Sequence, residues 1–150
     1  DLLLLAADDH PLADRSVIPL GELDEVPLLL PPPGSALRRV LERAAANADI
    51  TLRAQAEVDG VRLLASLAFA GFGAAIVPAT AVPDWLEGTF RRITVPELPR
   101  RVVAFARRRR PSASAPTMAV LEVLRSVVDA NGAAQHGIHP DAAALPFARP

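Results

Sequence analysis

The sequence predicts an α/β fold in which helices pack against a sheet that contains parallel βαβ units. Three observations favour this class. Short, continuously apolar segments such as residues 2–6 and 74–77 are typical of strands that are covered on both faces. Longer stretches with helical periodicity, residues 35–48 and 61–70, alternate with such segments. Strand, helix and strand in this order form βαβ units, whose strands run parallel.

Composition limits the possible functions. The chain has 150 residues, of which 51% are hydrophobic and 22% charged, as in ordinary globular proteins. Its net charge of −1 argues against a nucleic-acid-binding surface, which normally needs a basic excess. With no cysteine, disulfides, thiol nucleophiles and cysteine-based metal sites are excluded. We expect no metal and no cofactor.

The beginning of the chain does not predict a signal peptide, and it has no initiator methionine. Its apolar stretch, residues 2–6, is too short for a signal sequence and has no basic residue before it. No segment approaches the roughly 18 apolar residues of a membrane span. We therefore expect a fragment of a cytoplasmic protein that does not contact a membrane.

The central feature is a short strand, residues 26–30, that leads through three prolines into an amphipathic helix over residues 35–48. One face of that helix is apolar and follows the helical spacing, with Leu37, Val40, Leu41, Ala44 and Ala48. The opposite face should meet water and carries Arg38, Arg39, Glu42 and Arg43.

The start of this helix is a candidate anion site. A helix that begins at Gly34 and Ser35 leaves its first N–H groups without intrahelical partners, and the macrodipole adds partial positive charge there. Such an end binds carboxylate or phosphate. The alternative is that Ser35 is simply the N-cap. A second helix start at Asp59, Gly60 and Val61 should lie at the same sheet edge, where ligands of parallel sheets bind.

The remaining segments complete the expected order. Residues 19–23 form a helical turn, and residues 51–58 alternate as a strand with one wetter face. The helix over residues 61–70 is apolar all round, so we expect it to be buried between the sheet and another layer. Further strands are expected at residues 90–95 and 101–106.

The C-terminal part continues with a helix over residues 117–129, followed by a disordered tail over residues 131–150. The four arginines at residues 107–110 are interpreted as a solvated strand end, because no aromatic residue lies among them as in nucleic-acid sites. Trp85 is interpreted as a packing residue, and His10 as a turn residue.

Three segments in register resemble one family. They read DHPLA at residues 9–13, PPGSALRR at residues 32–39 and AGFGAAIVPA at residues 70–79. Their order and separations are similar to those in the effector-binding domain of LysR-type transcriptional regulators, over about residues 1–128. The resemblance implies a periplasmic-binding-protein-like type II fold, with two α/β subdomains and a small effector in the cleft between them.

On this resemblance the chain holds one complete subdomain and parts of another. Residues 1–15 would contain the last outgoing strand of the first subdomain, residues 16–95 the second subdomain, and residues 96–130 the return to the first. The helix-turn-helix and most of the first subdomain are missing. We therefore expect DNA binding only through the parent protein, and apolar surface exposed on the strand at residues 2–6 and on the last helix.

The resemblance also implies a site and partners. The turn Pro33-Gly34-Ser35 and the helix start Asp59-Gly60-Val61 would face the cleft and bind a small, anionic effector, and the effector domain would form a homo-oligomer. Relatives commonly have a hydroxyl residue where this chain has Gly60, and peroxide-sensing relatives have cysteine where it has Ala36. Phe72 borders an additional pocket in some members, but here we expect it to be a packing residue.

Two other function classes remain open. An enzyme on a similar scaffold would need a positioned acid, base or nucleophile. Ser35 lacks the glycine surround of a nucleophile elbow, and the carboxylates of Glu57 and Asp59 have no evident partner group. A free-standing solute receptor would need an export signal. The sequence upstream of Asp1 would separate these classes, since a regulator has a helix-turn-helix there.

Overall fold

A computed structural model describes residues 1–82, 88–103 and 114–140 of the chain. The chain divides into two compact units, residues 1–101 and residues 102–150. The first unit holds the sheet and both predicted helix starts. Each unit is described by itself.

The first unit is built on a five-stranded sheet with the order β3-β2-β4-β1-β5. β2 pairs in parallel with β3 on one side and with β4 on the other, which confirms the predicted α/β class. β1 runs antiparallel to both of its neighbours, β4 and β5. The strands are β1 (Leu2–Ala7), β2 (Pro27–Leu30), β3 (Arg53–Glu57), β4 (Ala74–Pro78) and β5 (Phe90–Ile93).

Two helices cover opposite faces of this sheet. Alternate side chains of a strand point to opposite faces, so neighbouring leucines of β2 join different apolar layers. Helix α1 (Ala36–Asn47) packs Leu41 in one layer with Leu28 and Leu30. Helix α2 (Val61–Phe69) packs Leu64 in the other layer with Leu29. Short 3-10 turns at Leu20–Leu23 and Ala79–Ala81 complete the unit.

The expectation that the first strand exposes apolar surface is wrong. All six residues of β1 are buried. β1 lies between β4 and β5, with Leu4 opposite both Ile76 and Ile93. Because hydrogen-bonded neighbours flank it and apolar layers cover both faces, the strand has its packing partners within this unit.

The alternating pattern at residues 51–58 predicts a strand with one exposed and one buried face, and this prediction is only partly right. β3 forms, but all five of its residues are exposed. It is the edge strand, and Ala54 and Ala56 offer little surface to pack. Only the flanking residues Leu52 and Val58 contact the apolar layers.

The interpretation of α2 as a helix buried on all sides is also wrong. Leu64 is 1% exposed, whereas its neighbour Leu63 is 54% exposed. The sheet covers one side of α2, and no other described element of the unit covers the opposite side. Helix α2 therefore carries more apolar side chains than one face of the sheet can cover.

Beyond β5 the chain departs from the expected strand at residues 101–106. Residues 101–103 have no regular structure, and Val102 and Val103 are 87% and 82% exposed. Residues 104–106, the arginines at 107–110 and Trp85 lie outside the described residues.

The second unit contains helix α3 (Ala115–Asn131), which confirms the predicted C-terminal helix. The side chain of Ser114 caps it by accepting the N–H of Thr117. Leu121 is buried, but the rest of the predicted apolar face is exposed, as expected for this helix. That face consists of Met118, Leu124, Val127 and Val128. Residues 132–137 form turns, with backbone hydrogen bonds such as that from Ala134 N–H to the Asn131 carbonyl.

Candidate functional site

Two helices begin at the edge of the sheet that is formed by the carboxyl ends of β2 and β3. Leu30 of β2 lies opposite Glu57 of β3, and the Val58 N–H donates to the Leu30 carbonyl at 2.9 Å. The chain therefore leaves both parallel strands at the same edge, from neighbours that are about 4.8 Å apart. We call the turns that follow, Pro33-Gly34-Ser35 and Asp59-Gly60-Val61, the helix-start edge. Beyond it α1 and α2 diverge onto opposite faces of the sheet.

The first turn connects β2 to α1. Pro31 is buried and Gly34 is exposed, with a φ of 80° that favours glycine. Ser35 is the N-cap of α1, and its Oγ accepts the N–H of Arg38 at 3.2 Å. The N-cap interpretation of Ser35 is therefore correct. An Oγ that accepts this bond can still donate its own proton to a ligand.

The N–H groups between Ser35 and Arg38, the residue that donates to its side chain, are unpaired. Among the described residues, the N–H groups of Ala36 and Leu37 make no hydrogen bond. The next donor along α1, Arg39 N–H, already bonds to the Ser35 carbonyl at 3.1 Å. Two amide donors thus remain where the helix dipole places partial positive charge.

The second turn lacks a side-chain cap altogether. Gly60 is the N-cap of α2 with a φ of 92°, and the first bond of the helix runs from Leu64 N–H to the Gly60 carbonyl at 3.0 Å. In the described part of the chain, no acceptor meets the N–H groups of Val61, Arg62 and Leu63. Only backbone donors are available here, as the absence of a hydroxyl at Gly60 predicts.

Arg38 is the residue at this edge that sequence patterns missed. It was assigned to the water-facing side of α1, but its side chain is only 11% exposed. Its Nε donates to Glu42 Oε1 at 2.8 Å, and its Nη1 donates to the Pro31 carbonyl at 3.1 Å. The same Nη1 lies 3.6 Å from Oε1 of Glu57. The spacing of Arg38 and Glu42 indicates the first contact, but no local pattern indicates the other two.

Arg39 and the carboxylates complete the charges nearby. Arg39 is exposed, and its Nη1 donates to the carbonyl of Gly34. Asp59 is exposed directly before the start of α2. Its negative charge opposes the binding of an anion at this edge, whereas the helix dipoles and the arginines favour it.

His10 and Phe72 lie at the other edge of the sheet. His10 follows the end of β1, and its Nδ1 accepts the Leu12 N–H at 3.2 Å. Burial lowers the pKa of His10, and the nearby carboxylate of Asp9 partly opposes this shift. Phe72 follows α2 and is 62% exposed, so it is not the packing residue we expected.

Two other kinds of site were tested against the described residues. Within residues 1–82, 88–103 and 114–140, no three histidine, cysteine, aspartate or glutamate side chains are grouped so that they could hold a metal ion. None of the helices described is both long and apolar enough to cross a membrane.

A family comparison matches most of the chain. The family described as "LysR substrate binding domain" matches residues 1–129. No curated protein matches the sequence.

Solved structures with the same fold belong to regulators. The CcmR regulatory domain of Synechocystis PCC6803 in complex with 2-PG has a TM-score of 0.67 and 20% identity, over 84% of this chain and 62% of that one. The effector-binding domain of QuiR in complex with shikimate has a TM-score of 0.55 and 19% identity, over 65% and 46% of the two chains. A Corynebacterium glutamicum OxyR mutant has a TM-score of 0.57 and 25% identity, over 94% and 46%. The present chain therefore spans less than two thirds of the length of these structures.

Proposed function

Because the chain belongs to the LysR substrate-binding-domain family, we propose that it binds a small anionic metabolite at the helix-start edge. The ligand would contact Pro33, Gly34 and Ser35 from one turn and Asp59, Gly60 and Val61 from the other. Its acidic group would accept hydrogen bonds from the free amides and from the Ser35 hydroxyl.

One observation carries this proposal. Two helices begin side by side at one sheet edge, and each has at least two N–H groups without an acceptor among the described residues. An isolated helix start is a weak anion site, but two on neighbouring strands can bind one acidic group together. Gly34 and Gly60 lack side chains that would block access to the backbone.

The ligands named for similar structures agree with an acidic effector. Shikimate, present in the QuiR domain, is a carboxylic acid, and the CcmR domain was solved with 2-PG. A second Corynebacterium glutamicum OxyR mutant was solved with H2O2 bound. Sensing of peroxide by a thiol needs a cysteine, and this chain has none. We therefore infer an acidic metabolite, and not an oxidant, as the signal.

The regulatory step belongs to a longer protein. In a complete regulator, an effector that binds one arrangement of subdomains or subunits more tightly than another would shift the population between them. That shift would change how an oligomer holds DNA through its N-terminal domain. We infer a cytoplasmic regulator with this organisation, in which residues 1–15 and 96–130 would belong to the first subdomain and residues 16–95 to the second.

A binding role fits this edge better than a catalytic one. The Oγ of Ser35 accepts the Arg38 N–H, and no histidine among the described residues is within hydrogen-bond distance of it to act as a base. A solute receptor would use the same amide donors, so the sequence upstream of Asp1 distinguishes it from a regulator. A helix-turn-helix there supports the regulator, and an export signal supports the receptor.

Amide-resolved NMR tests the proposed site directly. The 150-residue chain is titrated with inorganic phosphate, with shikimate and, as an uncharged control, with glycerol. We expect phosphate and shikimate to shift the amide signals of Ala36 and Leu37 together with those of Val61, Arg62 and Leu63. Glycerol should leave these signals in place. Shifts confined to other parts of the sheet would contradict the proposal.

A further inference from the structure

The turn that leads into α1 is short of backbone donors of its own. Proline has no N–H group, so Pro31, Pro32 and Pro33 can be held only through their carbonyls. The turn supplies one donor of its own, Ser35 N–H, which bonds to the Pro32 carbonyl at 3.2 Å. The other two come from side chains of α1: Arg38 bonds to the Pro31 carbonyl, and Arg39 to that of Gly34. The position of this turn therefore depends on side chains of the first turn of α1.

Arg38 is the only one of these donors that also reaches β3. Its guanidinium is planar and rigid, and its contacts lie on three elements: Pro31 directly after β2, Glu42 in α1 and Glu57 at the end of β3. A contact between exposed charges contributes little, and the Glu57 side chain is 46% exposed. The Arg38 side chain, however, is only 11% exposed and is also held by its hydrogen bond to the Pro31 carbonyl.

We propose that Arg38 is a positioning residue of the effector site. By joining the Pro31 carbonyl to the Glu57 carboxylate, it holds the turn at residues 31–35 against the end of β3. The free N–H groups of Ala36 and Leu37 are thereby kept at a constant distance from those of α2. This role rests on the proposed function, because it matters for binding only if the helix-start edge holds the effector.

Arg38→Lys separates positioning from charge. Lysine keeps the positive charge, but its single ammonium group cannot reproduce the planar set of contacts to Pro31, Glu42 and Glu57. If Arg38 acts only through its charge, phosphate affinity should stay within about twofold of wild type. If it positions the turn, we expect a loss of about tenfold, as for residues that support ligand-binding groups in metal sites.

A second readout needs no ligand. The amide signals of Gly34, Ser35 and Ala36 report the conformation of the turn in the free chain. We expect Arg38→Lys to move them, and Glu57→Gln, which removes the negative charge of the partner on β3, to move them in the same direction. Glu42→Gln removes only the charge of the partner within α1 and serves as the matched control, so it should leave these signals nearly unchanged. If Arg38→Lys prevents folding, the turn signals of Glu57→Gln are compared with those of Glu42→Gln, and the difference between these two variants tests the same role.

The outcomes separate this inference from the proposed function. Phosphate affinity within about twofold of wild type in Arg38→Lys overturns the positioning role. So does a loss of affinity while the turn signals stay in place, or an equal response to Glu42→Gln and Glu57→Gln. If wild-type chain binds neither phosphate nor shikimate, the proposed function fails. The ligand-free spectra then decide by themselves whether Arg38 holds the turn.

Discussion

Leu63 and Leu64 are neighbours on α2, yet Leu63 is 54% exposed and Leu64 is 1% exposed. Leu64 packs with Leu29 of β2 in the apolar layer under the helix. Leu63 points away from that layer and meets solvent. This difference decides how much each side chain contributes to folding, although the two residues are chemically identical.

We predict that Leu64→Ala lowers the free energy of unfolding by about 2–5 kcal/mol, because it removes buried methyl groups and leaves a cavity. Leu63→Ala should lower it by less than about 0.5 kcal/mol, as for exposed positions. Urea denaturation of the two variants measures both values. Equal losses would show that α2 is covered on both sides, as its sequence alone suggests.

Ser35→Ala should lower the free energy of unfolding by about 1 kcal/mol, because Ser35 Oγ accepts the Arg38 N–H at the start of α1. Ser35→Gly should cost only a few tenths of a kcal/mol, since glycine is also a favourable N-cap. Urea denaturation ranks the three proteins, and a Ser35→Ala protein as stable as wild type would exclude the cap.

The same hydroxyl should matter for the effector. In the complete regulator, we expect Ser35→Ala to weaken the effector response by about 1 kcal/mol, the scale of one lost hydrogen bond. A transcription reporter with increasing effector concentration measures this shift. An unchanged dose response would remove Ser35 from the proposed site.

Asp59→Asn should strengthen anion binding. The exposed carboxylate lies directly before α2 and repels an acidic ligand, so its neutral analogue should raise phosphate affinity about two- to fivefold. Isothermal titration at low salt measures the change. Asp49→Asn is the matched control, since Asp49 is exposed beyond the other end of α1 and should have no effect. An equal gain in both variants would indicate a general charge effect and not a local one.

His10 should make the free energy of unfolding depend on pH. Its pKa in the folded chain is lowered from 6.5, mainly by burial, so between the folded and unfolded pKa values the unfolded chain binds more protons. The stability contributed by neutral His10 is therefore present above pH 6.5 and decreases as the pH falls through that value. Urea denaturation from about pH 7.5 down to 5.5 measures the slope.

His10→Asn should reduce this slope, because asparagine can accept the Leu12 N–H without taking up a proton. A wild-type slope retained in His10→Asn would assign the pH dependence to other groups.

Local patterns were sufficient for the order of elements and for the ends of α1. The spacing of Leu37, Leu41 and Ala44 defines a helical face. The side chain of Ser35 caps the helix by accepting the N–H of Arg38, only three residues away. Interactions of this range act within the segment itself, so they can be read before any packing is known. The positions of both helix starts after parallel strands followed from the same reasoning.

Tertiary structure decided which surfaces are buried and which side chains meet. The apolar run at residues 2–6 already predicts cover on both faces, but only the structure shows that β5, which begins 83 residues after the end of β1, pairs with it. The Arg38 side chain is only 11% exposed because Glu57 and Pro31 lie beside it, and the sequence around Arg38 indicates only Glu42. Burial and long-range pairing depend on where a second element lies in space, and no periodicity along the chain contains that information.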